Sequence, residues 1–220
     1  MKKIIFAALV FISMDSAAQG VRLNGYANYI FDDRIDSYYD ANNYYNGKIQ
    51  AGFQWGVGLQ YMMSPYNGIE LAYYREDTKA PMKNFAYPVQ NHNYDITLNY
   101  IMLNFDRFMR KPDSKVEMFG GGGLGVALIN TTDPDPANAL LPTESNLTKF
   151  AWQFRGGAII WGSQSFGIKL QAQVQSAVQG AGGGVYFGTG GAGAGVSTYS
   201  SVIQFGLGGG IVFKMKSKGK

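Results

Sequence analysis

Residues 48–61 alternate without exception. Ile49, Ala51, Phe53, Trp55, Val57, Leu59 and Tyr61 fall on one parity, and Lys48, Gln50, Gly52, Gln54, Gly56, Gly58 and Gln60 on the other. Successive strand side chains point to opposite faces, so the pattern predicts a strand with one apolar and one polar wall. Residues 166–178 repeat it: Phe166, Ile168, Leu170, Ala172, Val174 and Val178 alternate with Gly167, Lys169, Gln171, Gln173 and Gln175. Six further segments follow the same rule less cleanly. Residues 21–33 set Leu23, Ala27, Tyr29 and Phe31 against Arg22, Asn24 and Asn28, and residues 68–78 set Ile69, Leu71 and Tyr73 against Glu70 and Glu76. Residues 94–106 place Tyr94, Ile96, Leu98, Tyr100 and Met102 on the apolar wall, with Asp95, Thr97 and Asn99 opposite. The remaining three are 115–129, with Glu117 on its polar wall, 149–161, with Gln153 and Arg155, and 199–213, with Gln204 and several glycines. All eight segments reach the roughly 9–11 residues that a tilted strand needs to cross a bilayer.

The connections alternate as well. Long loops are expected at about 34–46, 79–93, 130–148 and 179–198, and short turns at Ser64–Asn67, Lys111–Ser114 and Gly162–Ser165. Pro65, Asn67, Pro112 and Asp113 are turn formers. Alternating long and short connections between eight strands predict an all-β, eight-stranded antiparallel up-and-down barrel, with both chain ends on the side of the short turns.

Alternation alone does not say which wall faces inward. A soluble barrel puts its apolar wall inside, and a transmembrane barrel puts it outside. Glycine decides between them. Of the 30 glycines, Gly52, Gly56, Gly58, Gly121, Gly123, Gly125, Gly206, Gly208 and Gly210 lie on polar walls. Eight strands leave an interior just wide enough for side chains, so small residues belong there, and Trp55, Trp152, Phe154 and Phe205 face lipid. Aromatics at 15% beside a mean hydropathy of −0.12 fit a wall that is half lipid-facing and half polar. The first residues point the same way. Lys2 and Lys3 precede an apolar stretch, Ile4 to Ile12, and then Ser16-Ala17-Ala18 before Gln19. This reads as a cleaved signal peptide over 1–18, followed by the barrel over 19–213 and a basic periplasmic tail over 214–220. The chain has no cysteine. The formal charge of +4 comes with no basic face interleaved with aromatics, which argues against nucleic acid as a partner.

The last strand closes Gly206-Leu207-Gly208-Gly209-Gly210-Ile211-Val212-Phe213, and Gly208, Ile211 and Phe213 resemble the C-terminal assembly signal of outer-membrane barrels. Two departures are Gly206, where a polar residue is usual, and the tail that follows Phe213. Signal, eight strands and closing motif together resemble the small OmpA/OmpX/OmpW-type outer-membrane barrel superfamily. The Ala18-Gln19 junction and the Tyr/Asn-rich loops resemble its Bacteroidota members. The resemblance implies a bacterial outer-membrane location, long loops extracellular, outer-membrane lipid as surroundings and the barrel assembly machinery as a partner during insertion. It also implies, by analogy, an envelope or secretion complex partner.

Some barrels of this superfamily act on lipid A, a chemistry that needs a base within reach of a nucleophile. The single histidine, His92, has Gln90 and Tyr94 two residues away, and no serine where a nucleophile would be needed. Gly120-Gly121-Gly122-Gly123-Leu124-Gly125 matches a dinucleotide fingerprint in form, but Val126-Ala127-Leu128-Ile129 continues as strand rather than helix. Asp32, Asp33, Asp36 and Asp40, with Asp133 and Asp135, have no cation-cage spacing. No catalytic residue, cofactor or metal is expected. Arg22, Glu70, Glu76, Glu117, Arg155 and Lys169 lie on inward walls, and buried charges must pair, so Glu70, Glu117, Arg155 and Lys169 are expected to form an interior ion network. Tyr38, Tyr39, Tyr44 and Tyr45 are candidates for a loop contact surface, or equally for an interfacial aromatic girdle. The leading expectation is a non-enzymatic barrel with a structural, surface-contact or envelope-accessory role. Passive transport of small or hydrophobic solutes is the alternative, and lipid modification the third.

Overall fold

The computed structural model describes residues 20–38, 44–84, 91–111, 114–132, 144–178, 185–188, 191–194 and 202–215. The expected signal peptide and most of the basic tail lie outside them. The strands are β1 (Val21–Ile30), β2 (Asp33–Tyr38), β3 (Tyr44–Ile49), β4 (Gly52–Ser64), β5 (Asn67–Asn84), β6 (Asn91–Arg110), β7 (Val116–Thr132), β8 (Glu144–Trp161), β9 (Phe166–Val178), β10 (Val185–Gly188), β11 (Gly191–Ala194) and β12 (Val202–Met215).

Eight of them close a ring, β1-β4-β5-β6-β7-β8-β9-β12, every neighbour antiparallel, with β12 returning to β1 and β5 joining β6. All eight segments expected from the alternation are present. The short turns stand where expected: Ser64 Oγ accepts from the N–H groups of Tyr66 and Asn67, and Ser163 Oγ from those of Ser165 and Phe166. The hairpin β2–β3 prolongs β1 and β4, and β3 pairs with the far end of β5. β10 and β11 form a separate hairpin.

The wall is inside-out relative to a soluble protein. Phe53, Val57, Leu71, Leu103, Leu124 and Phe154 are all more than half exposed, while Arg22, Glu70, Asp106, Glu117, Arg155 and Lys169 are at most 5% exposed. That polarity suits a barrel crossing a bilayer, with lipid outside and paired polar groups within. Inward glycines leave the room: a Cβ at Gly58 would strike the Glu70 carboxylate, and one at Gly123 would strike Asn104.

Three expectations are corrected. The described parts of the segments 34–46, 79–93 and 130–148 are strand, because β5, β6, β7 and β8 run on past the length a bilayer requires and β2 and β3 prolong β1 and β4. β5 has 18 residues and β6 has 20, so they exceed the roughly 9–11 of a membrane strand by about eight and about ten. In β6 the two faces are also reversed from the reading above. Ile96, Leu98, Tyr100 and Met102 point inward and are buried, while Asp95 is exposed and Thr97 and Asn99 are partly so. Ile49 is likewise buried and Lys48 exposed, because residues 50–51 interrupt the strand and shift the parity between β3 and β4.

In the upper half of β6 the reversal has a physical cause. Across β5 to β8 the outward register row Tyr73, Ile101, Val126, Phe150 is apolar, the next row Arg75, Asn99, Leu128, Thr148 is mostly polar, and the row Asp77, Thr97, Asn130, Asn146 is wholly polar. Above that line the wall stands in water and takes soluble polarity, with Ile49, Ala80, Ile96, Leu98 and Ile129 packed inside. The line predicts a depth-dependent cost for charge on the outer wall. Leu103→Arg should lower unfolding free energy by about 2–4 kcal/mol, and Thr97→Arg by about 0–1 kcal/mol. Urea titrations in lipid vesicles check both.

Candidate functional site

The interior is built in tiers from the short-turn end upward. At that end Met62, Phe108, Phe119, Ile159, Trp161 and Val212 form an apolar cluster. Arg22 lies within it, its Nη1 2.6 Å from Glu117 Oε1, and its guanidinium stacks over Phe108 and Trp161 at 4.6 and 5.4 Å. Trp161 Nε1 donates to the second oxygen of Glu117 at 3.2 Å. The rings exclude water, and the ion pair satisfies the two charges they enclose.

The middle tier is organised by Arg155. Its Nε donates to Asp106 Oδ1 at 3.0 Å and its Nη2 to Asp106 Oδ2 at 2.5 Å, with a further ion pair from Nη2 to Glu70 Oε2. Nη1 reaches the hydroxyls of Tyr26 and Tyr74 at 3.1 and 2.9 Å. Glu70 Oε1 also accepts from Asn24 Nδ2 at 2.7 Å and Tyr26 at 2.5 Å, and Asp106 accepts from Gln60 Nε2 at 2.9 Å. Lys169 Nζ donates to the Tyr26 hydroxyl at 3.1 Å and sits 4.4 Å over the Phe119 ring. A guanidinium between two carboxylates presents its planar fork to both, which a lysine could not do.

Above it lies a tier of amides. Gln173 donates to Gln54 at 2.8 Å and accepts from Gln171 and Gln153 at 3.0 and 3.2 Å. Gln204 accepts from Tyr100 and Gln175, both at 3.0 Å, and donates to the carboxylate of Glu76 at 3.1 and 3.2 Å. Above these amides the inner wall is apolar, with Ile49, Ala80, Ile96, Leu98 and Ile129 buried.

The expected network therefore divides. Glu70, Arg155 and Lys169 share the middle tier, where Lys169 is linked through Tyr26 rather than directly to a carboxylate. Glu117 belongs to a separate pair with Arg22 at the short-turn end. Asp106 is the residue the sequence reading missed. Its even parity in β6 placed it on the supposed lipid wall, and the uninterrupted alternation Met102, Asn104, Asp106, Phe108 toward the closing turn was the signal that could have found it.

At the long-loop end the outer wall carries paired charges. Lys48 Nζ lies 2.9 Å from Asp32, Arg75 Nη2 2.9 Å from Asp77, and Lys79 Nζ 3.7 Å from Asp95. The hydrogen bond from Lys48, with the Ala51 N–H, holds the Asp32 carboxyl below the usual carboxylate range. Such exposed pairs contribute little to stability, and their value is a hydrated surface. Tyr38 and Tyr44 face each other in the β2–β3 register, with Tyr45 opposite Ser37, while Tyr39 lies outside the described residues. His92 stands in β6, opposite Met82 of β5, rather than in a loop. Asp36 is in β2, Asp33 accepts from the Ile203 N–H at 2.8 Å, and Asp40, Asp133 and Asp135 lie outside the described residues. Among the described residues no cluster of acids or histidine is placed to hold a metal. In the closing strand, Ile211 and Phe213 face outward at 45% and 44% exposure. Phe213 packs on Phe166 with ring centroids 5.1 Å apart, and a Cβ at Gly208 would collide with Asn28 and the Ala27 carbonyl.

No protein-family model matches the chain, and no curated protein does. Solved structures do. The outer membrane protein OprG of Pseudomonas aeruginosa is 12% identical, with 90% of this chain and 96% of that one covered at a TM-score of 0.64. Neisserial surface protein A (NspA) is 13% identical over 89% and 97%, at 0.55, and the outer membrane protein AlkL is 12% identical over 92% and 93%, at 0.50. The chain has the fold of these small outer-membrane β-barrels. Because Arg155 neutralises two carboxylates inside that fold, Arg155→Ala should cost about 3–5 kcal/mol, the penalty for stranding buried charge. Chemical unfolding of the lipid-embedded barrel reads the loss. Lys48→Ala at the exposed rim should stay within about 1 kcal/mol of wild type.

Proposed function

We propose that this protein is a non-catalytic barrel of a bacterial outer membrane, with periplasmic chain ends and extracellular long loops. Its role on this reading is structural or surface contact, as a stand-alone barrel or as the accessory subunit of an envelope complex. The observation that carries the reading is the filled interior. Side chains bonded to one another occupy it from the Arg22–Glu117 pair to the Gln204–Glu76 contact, and buried apolar residues line the inner wall beyond them at either end. What is left to meet other molecules is the outer wall and the rim that rises above the lipid. The Tyr38–Tyr45 hairpin on that rim is the contact surface we assign. The fold shared with OprG and NspA supports the outer-membrane location, and the barrel assembly machinery would then insert the chain.

A narrow polar conduit is the second reading. It is favoured by buried amide atoms without a protein partner, both polar atoms of Asn104 and one each of Asn24, Gln54, Gln60, Gln153 and Gln171. Polar groups of this kind are ordinarily satisfied by enclosed water. One experiment separates the readings. The full chain, tagged after Lys220, is extracted in mild detergent, its co-purifying proteins are identified, and the same preparation is placed in planar bilayers. The accessory role predicts a stoichiometric envelope protein that is lost when Tyr38, Tyr39, Tyr44 and Tyr45 are changed to serine, with a flat conductance trace. Discrete conductance steps that change in Arg155→Gln, with no partner, would replace it with transport. Altered lipid A in a deletion strain would instead favour a lipid-modifying enzyme.

A further inference from the structure

The outer wall is apolar down to the short turns, except at one place. Where β6 ends and β7 begins, a groove of about 630 Å³ lies between the two turns, its lining including Tyr66, Arg107, Met109, Arg110, Lys111 and Met118. Its floor is apolar and open: Met109 and Met118 are paired across the strands and are 59% and 56% exposed. Beside it the outer wall is bare, for Arg107 is in register with Gly120, where an added Cβ would meet nothing within 4 Å. Three cations, Arg107, Arg110 and Lys111, border this floor, all exposed, and none of them forms an ion pair among the described residues.

Charge separates the two ends of the barrel. At the long-loop rim Lys48, Arg75 and Lys79 each have an acid partner. At the short-turn end the described exposed charges, Arg107, Arg110, Lys111 and Lys115, are all positive. Glu117 is the described acid of that end, and it is buried and bonded to Arg22. An occupant must therefore be anionic at the rim and apolar just above it, and must reach the groove from within the lipid layer.

We propose that this groove holds an anionic glycerophospholipid of the leaflet on the short-turn side. Its phosphate sits among Arg107, Arg110 and Lys111, and an acyl chain lies along Met109, Met118 and the bare wall at Gly120. The site rests on the membrane-spanning reading of the outer wall, and it orients the barrel by binding from one leaflet. A soluble anion would meet the cations but not the methionine floor, and an acidic protein would have to pass the membrane surface to reach it.

The test uses the full barrel in nanodiscs of phosphatidylcholine containing a minor fraction of phosphatidylglycerol, with retained lipid read by native mass spectrometry. Wild type should retain phosphatidylglycerol over phosphatidylcholine. Each of Arg107→Gln, Arg110→Gln and Lys111→Gln should lower that preference by up to about fivefold, and the triple variant should abolish it. The rim variant Lys48→Gln/Arg75→Gln/Lys79→Gln should leave it unchanged. Raising salt should weaken the preference, whereas Met109→Ser/Met118→Ser should weaken retention of both lipids. Equal retention of the two lipids by wild type, or an undiminished preference in the triple variant, would overturn the site. Heat-dependent gel migration of each variant confirms that it is folded, so a barrel that never inserts contradicts the membrane reading instead.

Discussion

Lipid offers the backbone no hydrogen bonds, and the whole structure follows from that constraint. A sheet in a bilayer cannot keep an open edge, so the β12–β1 and β5–β6 pairings that close the ring are its first requirement. Closing only eight strands makes a narrow tube, and the narrowness then governs the inward side chains. Gly58 and Gly123 are glycines because Glu70 and Asn104 take up the space a Cβ would need. The charges that enter this space cannot be hydrated individually, so Arg155 binds two carboxylates and two tyrosine hydroxyls at once. Ion pairing here is a consequence of closure in lipid rather than a free source of stability.

The same constraint ends at a definite height. On the β5 to β8 side, one register row separates apolar Tyr73 and Ile101 from polar Asp77 and Thr97. Beyond it the barrel continues as a soluble protein would, with Leu98 and Ile129 inside and ion pairs outside. One continuous wall therefore serves two solvents. The short-turn end has no such extension. There the cations around Met109 and Met118 stand close to the lipid band, where an amphiphile fits them better than water does.

Most of the fold was legible because the period-two signal is strong wherever lipid lies outside and polar groups lie inside. β4 and β9 were legible for that reason, and their glycine and glutamine walls gave the direction. β6 was read with its faces reversed because its upper half obeys the soluble rule. Ile96 and Leu98 look lipid-facing in sequence, yet lie inside a part of the barrel that water surrounds. That reversal also hid Asp106, whereas Glu70 and Arg155, in strands with unbroken polarity, were assigned inward correctly. The parity shift at residues 50–51 carried no compositional mark, so Ile49 and Lys48 were exchanged. The grouping of Glu117 with Arg22 depends on height along the barrel, which alternation does not encode.

The most direct measurement uses the absence of cysteine from the chain. Single cysteines at Leu103 and at Thr97, two outward positions of β6 on either side of the polarity line, are compared in lipid vesicles for reaction with a water-soluble maleimide and for quenching by a lipid-phase quencher. Leu103→Cys should resist the maleimide and be quenched once labelled with a fluorophore under denaturing conditions and refolded. Thr97→Cys should react freely and escape the quencher. Equal, rapid maleimide reaction at both positions would contradict the account, because it would place water on both sides of the line.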